Sequence, residues 1–231
     1  MNLSHLNVSD LLCWYVVFLF SVVAHEAGHA FTAWRLGDST AHDGGQVTLN
    51  PLPHILREPT GTVFVPLLSF LLQGWMIGWA VTPINRMWAY THPKKSALVA
   101  LAGPLVNFVI MSLSLLALRY GLEAGWFHHT AGPVRGFQSI VTGSTPVLDM
   151  AARLLGVAFC LNAILFLFNL VPFPPLDGAT VIKFFIPSSL LPLYDQYLSK
   201  PGSGFLGLIA AWILFPKILG PVLRMLFSLA G

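Results

Sequence analysis

Residues 10–37 read DLLCWYVVFLFSVVAHEAGHAFTAWRLG, an apolar stretch that is long enough to cross a membrane as one helix. Gly37 follows the apolar pattern directly and is a typical helix terminator. Three ionisable side chains, His25, Glu26 and His29, interrupt the second half of the stretch. An ionisable side chain at membrane depth costs about 2.5 kcal/mol or more and usually marks a functional site. The stretch therefore predicts both a membrane protein and the place to look for its chemistry.

The spacing of these side chains predicts a metal site. Residues four apart share one face of a helix, so His25 and His29 can bind one ion while Glu26 lies beside it. The pattern His-Glu-x-x-His on a helix is typical of hydrolytic zinc sites, in which the glutamate is the general base. The competing interpretation is a polar patch that packs between spans.

Composition sets the fold class. Of the 231 residues, 55% are hydrophobic and 9% are charged, whereas a soluble domain has about 25% charged residues. We expect an all-α polytopic membrane protein with about four to six transmembrane helices. The net charge is +3 and no basic cluster exceeds Lys94-Lys95, so the expected partner is the lipid bilayer and not a nucleic acid. Cys13 and Cys160 lie in apolar runs, which argues against a disulfide framework.

A pass along the chain predicts one integral membrane domain over residues 1–231, with no cleaved signal peptide. Its expected parts are a metal-binding helix at about 10–36, a cytoplasmic loop with a re-entrant element at 37–95, a core helix at 96–119, a core helix with an Asp-Gly turn at 147–178, and C-terminal helices at 179–231. The alternating run 46–49 predicts a short edge strand. Residues 120–146 are interpreted as a polar, glycine-rich loop.

Positive charge predicts the orientation. Most basic residues fall in segments that can share one side, which should be cytoplasmic. These residues are Arg35, Arg57, Arg86, Lys94, Lys95, Lys183 and Lys200, with Arg119 and Arg135 on the opposing side. The 96–119 helix then runs outward, so residues 61–80 must return to the cytoplasmic side as a re-entrant or hairpin element. His25 and His29 lie toward the cytoplasmic end of the first helix.

The third metal ligand can be sought among the acidic residues. A catalytic zinc usually has three protein ligands and one open position. Of nine acidic residues, only Glu26 and Asp177 are expected at membrane depth. Asp177 lies in the turn Pro174–Gly178, and broken backbone at that depth is tolerated where it lines a cavity within the protein. Two alternatives stay open: Asp177 as a helix cap, and a loop histidine, best represented by His54, as the ligand.

Three asparagines are further candidates. Asn162 and Asn169 are seven residues apart and share one face of their helix. An amide near the metal can donate to a carbonyl oxygen as that oxygen gains negative charge, so Asn169 is a candidate catalytic residue. The competing role for asparagine in a membrane is hydrogen bonding between helices. Asn107 lies next to small residues and is interpreted mainly as a packing residue with a supporting role near the site.

Together these residues resemble the site-2 protease family of intramembrane zinc metalloproteases. The matching segments are HEAGH at 25–29, AGPLVN at 102–107 and FNLVPFPPLDG at 168–178. The residues at 37–41 and 49–52 are similar to a compact prokaryotic branch without appended regulatory domains. The resemblance covers about residues 12–185.

The resemblance implies one zinc ion per chain, with His25, His29 and Asp177 as ligands and Glu26 as the base. It also implies cleavage of the transmembrane helix of a membrane-protein substrate, in a multi-pass protein of the cell membrane whose active site faces the cytoplasm. Two alternatives remain: a metal transporter, which would not need Glu26 as a base, and a non-catalytic scaffold that binds membrane helices. The sequence leaves open the substrate and whether the protein is a homo-oligomer.

Overall fold

The structure, a computed structural model, describes residues 7–130 and 140–229. Three long helices dominate it, and shorter helices and one small sheet connect them. The elements are α1 (Val8–Leu36), α2 (Thr40–Asp43), α3 (Pro51–Arg57), a π-helical turn (Thr60–Phe64), α4 (Val65–Gln73), α5 (Arg86–Thr91), α6 (Pro93–Glu123), β1 (Phe127–His129), β2 (Val141–Gly143), α7 (Pro146–Asn169), α8 (Asp177–Val181), a 3-10 turn (Ile182–Phe184), α9 (Leu191–Leu198) and α10 (Ser203–Leu229).

The helix count agrees with an all-α membrane protein. Within the described residues, α1, α6 and α7 are long and apolar enough to cross a membrane by length and composition. The count rises to five if each of two bent pairs, Pro51–Arg57 with Thr60–Gln73 and Leu191–Leu198 with Ser203–Phe215, is one span. The predicted fold class is therefore confirmed.

Local sequence fixes both ends of α1. The side chain of Asn7 accepts a hydrogen bond from Ser9 N and caps the first turn, so the helix begins two residues before the predicted start. Gly37 adopts a φ of 109°, and its N–H bonds to Trp34 O at 3.2 Å, which ends the helix where the sequence predicts. A residue with a side chain would be strained in this left-handed conformation.

The three long helices alternate in direction. At one end, Lys95 Nζ at the start of α6 donates to Leu36 O at the end of α1. At the other end, Arg153 of α7 binds Asp10 of α1 at 3.0 Å. Helices α1 and α6 approach closely at Gly28, where a Cβ would lie 2.9 Å from a methyl group of Val106. The core is therefore an antiparallel three-helix arrangement whose inner surfaces carry the buried residues.

The connection between α1 and α6 does not contain the predicted edge strand. Residues 47–49 form bends and residue 46 is irregular, so that prediction is wrong. Gln46 is buried and donates through Nε2 to Val81 O at 3.1 Å, while its backbone N–H bonds to Ala41 O at the end of α2. Four alternating residues are too few to distinguish a strand from a turn that buries a polar side chain.

Residues 61–80 leave and return as a helix followed by an extended chain. Helix α4 ends at Gly74, which adopts a φ of 79° and allows the reversal. The returning chain bonds back through Trp79 N to Gly61 O at 3.0 Å. Gly61 has no room for a side chain, because a Cβ there would overlap Trp79 O. The geometry agrees with a hairpin, and its re-entrant placement in a membrane stays a prediction.

The segment predicted as a polar loop at 120–146 contains a short sheet. Strands β1 and β2 pair antiparallel, with Phe127 opposite Gly143 and His129 opposite Val141. Phe127 and Val141 are buried against α6 and α7. Residues 131–139, which include Arg135, lie between the strands and are outside the part of the chain that the structure describes.

The C-terminal helices support the turn that carries Asp177. Lys183 is buried and pairs with Asp195 of α9 at 2.5 Å. Tyr194 of α9 donates through its hydroxyl to Ala179 O of α8 at 2.8 Å. Two side-chain bonds thus fasten α9 to α8, which begins at Asp177, and to the 3-10 turn that follows α8.

Candidate metal centre

Three predicted ligands, brought from two distant segments, meet between α1 and α8. His25 Nε2 and His29 Nε2 are 2.9 Å apart. Asp177 Oδ2 lies 3.2 Å from His25 Nε2 and 3.4 Å from His29 Nε2. Within the part of the chain that the structure describes, His25, His29 and Asp177 form the group of histidine, cysteine and acidic side chains that could hold a metal ion.

The other ring nitrogen of each histidine has an acceptor. His25 Nδ1 lies 2.6 Å from Asn107 Oδ1, and His29 Nδ1 lies 2.7 Å from Val99 O. To donate to these oxygens, each Nδ1 must carry the proton, which leaves each neutral ring with a bare lone pair on Nε2. The neighbours of the two rings thus select the tautomer that a metal needs.

The donor set fits a divalent metal. Two Nε2 lone pairs and a carboxylate oxygen face one another at about 3 Å, an arrangement that is repulsive without a shared cation. Asp177 Oδ2 is buried and has no hydrogen-bond partner in the structure. Zinc with ligands at about 2.1 Å in a tetrahedron places neighbouring ligand atoms about 3.4 Å apart, close to the distances between the Asp177 oxygen and the two rings.

Asp177 does not act as the helix cap that the sequence allowed as an alternative. Leu176 is the N-cap of α8 and Asp177 is its first residue. The carboxylate instead points at the two histidines. Its backbone is held closely, because Gly178 packs on the C-terminal end of α7, where a Cβ would overlap Leu170 O and Val171 O.

Glu26 is buried beside the two histidines on α1 and accepts a hydrogen bond from Thr82. Thr82 Oγ1 lies 2.6 Å from Glu26 Oε2 and 3.0 Å from Glu26 O. Glu26 is 7% exposed, so most of its hydration is replaced by protein. No local pattern points to Thr82, because this contact joins residues that are far apart in the chain.

A network of buried amides holds His25. Asn107 Oδ1 accepts from the ring of His25, and Asn107 Nδ2 donates to Asn162 Oδ1 at 2.8 Å. Asn162 Nδ2 in turn donates to Ser21 Oγ at 2.9 Å and to Ala158 O at 2.8 Å. Asn107 and Asn162 therefore link α1, α6 and α7 behind the first histidine. The supporting role that the sequence suggested for Asn107 agrees with this geometry.

Asn169 lies at the last position of α7, eight residues before Asp177. Its Nδ2 donates to Leu165 O of the same helix at 3.0 Å. The structure gives no contact between the Asn169 side chain and the three candidate ligands. Its predicted catalytic role stays a prediction.

Gly103 of α6 faces the candidate ligands directly, although it is not among the site residues predicted from the sequence. A Cβ at this position would overlap His29 Nε2 and lie 2.6 Å from His25 Nε2. The position is inside a helix, where glycine is otherwise unfavourable relative to alanine by about 1 kcal/mol. A glycine inside a long apolar helix is a local signal of close packing, but it does not reveal which residue lies opposite.

Three further histidines, in the segments between the long helices, lie apart from this group. His54 is buried, and its Nε2 donates to Thr48 O at 3.2 Å. His42 is exposed and pairs with Asp43. His128 contacts Ser144 in the small sheet region. The structure thus offers no support for a loop histidine as the third ligand among the described residues.

The fold and the site define a polytopic membrane protein with a metallohydrolase type of centre. The sequence matches the model of Peptidase family M50 over residues 14–199. The chain therefore belongs to this family, which is the site-2 protease family, and it is an intramembrane zinc metalloprotease.

Relatives carry names of the same kind. The chain is 31% identical over 208 residues to "Putative zinc metalloprotease YwhC" of Bacillus subtilis, which covers 88% of this chain and 84% of the relative. It is 29% identical over 219 residues to "Putative zinc metalloprotease Rip2" of Mycobacterium tuberculosis, covering 93% of this chain and 72% of the relative. No solved structure matches the chain at comparable significance. These findings support neither the transporter nor the scaffold alternative.

Proposed function

We propose that His25, His29 and Asp177 hold the zinc ion and that Glu26 is the general base in the hydrolysis of a peptide bond. The observation that carries this proposal is the meeting of three potential ligand atoms at 2.9–3.4 Å, one of them a buried carboxylate oxygen without a hydrogen bond. Glu26 lies one residue after the first ligand, which is the arrangement that hydrolytic zinc sites on helices use.

The metal, Glu26 and the partners of the two histidines have different roles in this reaction. Bound zinc supplies a Lewis acid that polarises the scissile carbonyl and lowers the pKa of water. Glu26 takes a proton from the attacking water and then delivers it to the leaving amine. Val99 O and Asn107 Oδ1 keep both imidazole rings oriented and their Nδ1 atoms protonated, which raises the basicity of the ligand nitrogens.

We assign to Asn169 the role of a donor to the oxygen that gains negative charge. Asn169 ends α7, and its amide at present donates to a carbonyl of its own helix, a bond that can be exchanged. Removing one such donor typically slows turnover by about 10²–10³-fold. Asn169→Ala should therefore lower kcat by that factor and keep the zinc. Gln73→Ala, which removes an exposed amide at the end of α4, is the matched control; an unchanged kcat for Asn169→Ala would remove this residue from the mechanism.

The substrate we propose is the transmembrane helix of another membrane protein. An apolar cavity of about 310 Å³ lies between α1, α7, α10 and the chain that follows α4, and its walls include Phe18, Leu165, Phe168 and Trp212. Such a lining suits apolar side chains and not polar peptides. The centre lies nearer the C-terminal end of α1, on the side that carries Arg35, Lys94 and Lys95, so we propose that it opens toward the cytoplasm.

The deciding experiment compares zinc content and cleavage of a model transmembrane substrate in liposomes. Glu26→Gln should keep stoichiometric zinc and lose cleavage by at least about 10³-fold, since the base is gone. Asp177→Asn should lose both zinc and cleavage. Glu123→Gln and Asp43→Asn change exposed carboxylates elsewhere and should leave both unchanged. Cleavage retained by Glu26→Gln would contradict the proposed mechanism.

A further inference from the structure

The extended chain that returns from α4 is fastened at several points as it crosses toward α1. Each fastening joins this segment, residues 74–85, to a different part of the protein. The bonds are Ile77 N to Ser69 Oγ at 2.9 Å, Trp79 N to Gly61 O at 3.0 Å, Gln46 Nε2 to Val81 O at 3.1 Å, and Asn85 N to Asp38 Oδ2 at 2.8 Å. The path of the segment is thus set by directional bonds and not by its own secondary structure.

Thr82 is the residue of this segment that contacts Glu26. Its hydroxyl lies 2.6 Å from Glu26 Oε2 and 3.0 Å from Glu26 O, so one donor serves both the carboxylate and the backbone carbonyl. A hydrogen bond to an ionised acceptor is stronger than one between neutral groups. The bond ties the Glu26 carboxylate to Thr82 through Oε2 and leaves further lone pairs of the carboxylate to accept a proton.

Two buried polar side chains hold Thr82 in place from both sides. Gln46, which is 1% exposed, binds the carbonyl of the preceding residue, Val81. Asp38, which is 4% exposed, binds the N–H of Asn85, three residues later. Gln46 Oε1 is buried without a hydrogen-bond partner, so the bond from Gln46 Nε2 to Val81 O is the one that offsets the cost of burying this amide. Asp38 Oδ2 likewise satisfies the N–H of Asn85, and the two bonds fix the backbone on both sides of Thr82.

We infer that Thr82 is a positioning residue for Glu26 and that Gln46 positions Thr82. This inference rests on the proposed role of Glu26 as general base. Without the Thr82 donor, the Glu26 carboxylate can adopt other rotamers, so only part of the molecules hold it in the orientation that the bond to Thr82 sets. Substrate binding does not use this bond, so the loss falls on kcat.

The test uses full-length protein in liposomes with a model transmembrane substrate. Thr82→Val keeps the shape of the side chain and removes the donor, whereas Thr82→Ser keeps the donor. We expect Thr82→Val to lower kcat about tenfold with KM changed less than about twofold. Thr82→Ser should stay within about threefold of the unchanged protein. Thr142→Val in β2 is the matched control and should have no effect.

Zinc content and the melting temperature separate positioning from damage to the fold. Thr82→Val should bind stoichiometric zinc and melt within a few degrees of the unchanged protein. A variant that loses zinc or unfolds would show a structural role and overturn the inference. So would a Thr82→Val protein that is as fast as, or faster than, the unchanged one.

Gln46 supplies a second and independent measurement. Gln46→Leu releases Val81 and should lower kcat, but it should cause little further loss in a protein that already carries Thr82→Val. Fully additive losses would show that Gln46 does not act through Thr82 and would overturn that half of the inference. Failure of the proposed function looks different, because Glu26→Gln would then remain active whatever Thr82 does.

Discussion

The two halves of α1 are held in different ways. In the first half, Cys13, Val17 and Phe18 pack against Val157 and Leu161 of α7. These apolar contacts are non-directional, so they depend on the total side-chain volume and not on contacts between particular atoms. Core exchanges that conserve volume typically cost less than about 1.5 kcal/mol.

In the second half of α1, single atoms meet single partners. His25 Nδ1 meets Asn107 Oδ1, His29 Nδ1 meets Val99 O, and Glu26 Oε2 meets Thr82 Oγ1. Removing one partner leaves a buried polar group unsatisfied, which costs about 1–3 kcal/mol. One helix thus combines a tolerant half, which stabilises the fold, with an exacting half, which orients the site.

The largest effect that would sharpen this comparison is expected at Gly103. Gly103→Ala places a methyl group where the two Nε2 atoms of His25 and His29 lie. Because displacement of reacting groups by about 1 Å can cost about 10²-fold, we expect cleavage to fall at least that far, together with zinc affinity. Zinc titration and substrate cleavage are the measurements. Gly204→Ala, where a Cβ would have its nearest neighbour at 4.0 Å, is the control.

If Gly103→Ala keeps its activity and zinc affinity, the proposed difference between the two halves of α1 is wrong. The second half would then tolerate a change of shape as the apolar first half does. The variant also tests the geometry without removing any ligand. Its result therefore bears on the arrangement of the centre and not on the identity of the base.

An intermediate effect is expected at Asn107. Asn107→Leu removes the acceptor for His25 Nδ1 and leaves Asn162 Oδ1 without its donor. Loss of a partner that orients a metal-bound histidine typically lowers metal affinity by about 10–100-fold. Competition with a zinc chelator would measure this change. The control is Leu161→Met, an exchange of similar volume at a residue of α7 that packs against the first half of α1. It should leave zinc affinity unchanged.

The smallest effect is expected at the far end of the three-helix core. Arg153 binds Asp149 at 2.8 Å and Asp10 at 3.0 Å, but its side chain is 33% exposed. Exposed ion pairs contribute about 0–1 kcal/mol. Arg153→Met should lower the melting temperature by a few degrees and leave zinc content and kcat unchanged. A loss of zinc in this variant would show that the two halves of α1 are coupled.

The sequence predicted the parts of the site that follow local rules. Helical spacing places His25, Glu26 and His29 together, and a census of acidic residues points to Asp177. The fold class followed from composition and the length of the apolar runs. The roles assigned to these residues remain predictions until the variants are measured.

The parts that the sequence did not predict depend on tertiary contacts. Nothing near Thr82 or Gly103 in the chain indicates that each lies against a residue of α1 far away in sequence. The edge strand predicted at 46–49 was wrong because Gln46 is buried by its bond to Val81, a partner that no local pattern reveals. The sheet of β1 and β2 was missed because each strand has only three residues.

The bonds from α9 to α8 set a lower limit on how small a working version of this protein can be made. A design that kept only α1, α6, α7 and the turn at Asp177 would contain every candidate ligand. It would lack Tyr194 and Asp195, which fasten Ala179 and Lys183 just beyond that turn. A truncated or fused version of the protein should therefore keep α9, and its boundary should lie after α9 and not before it.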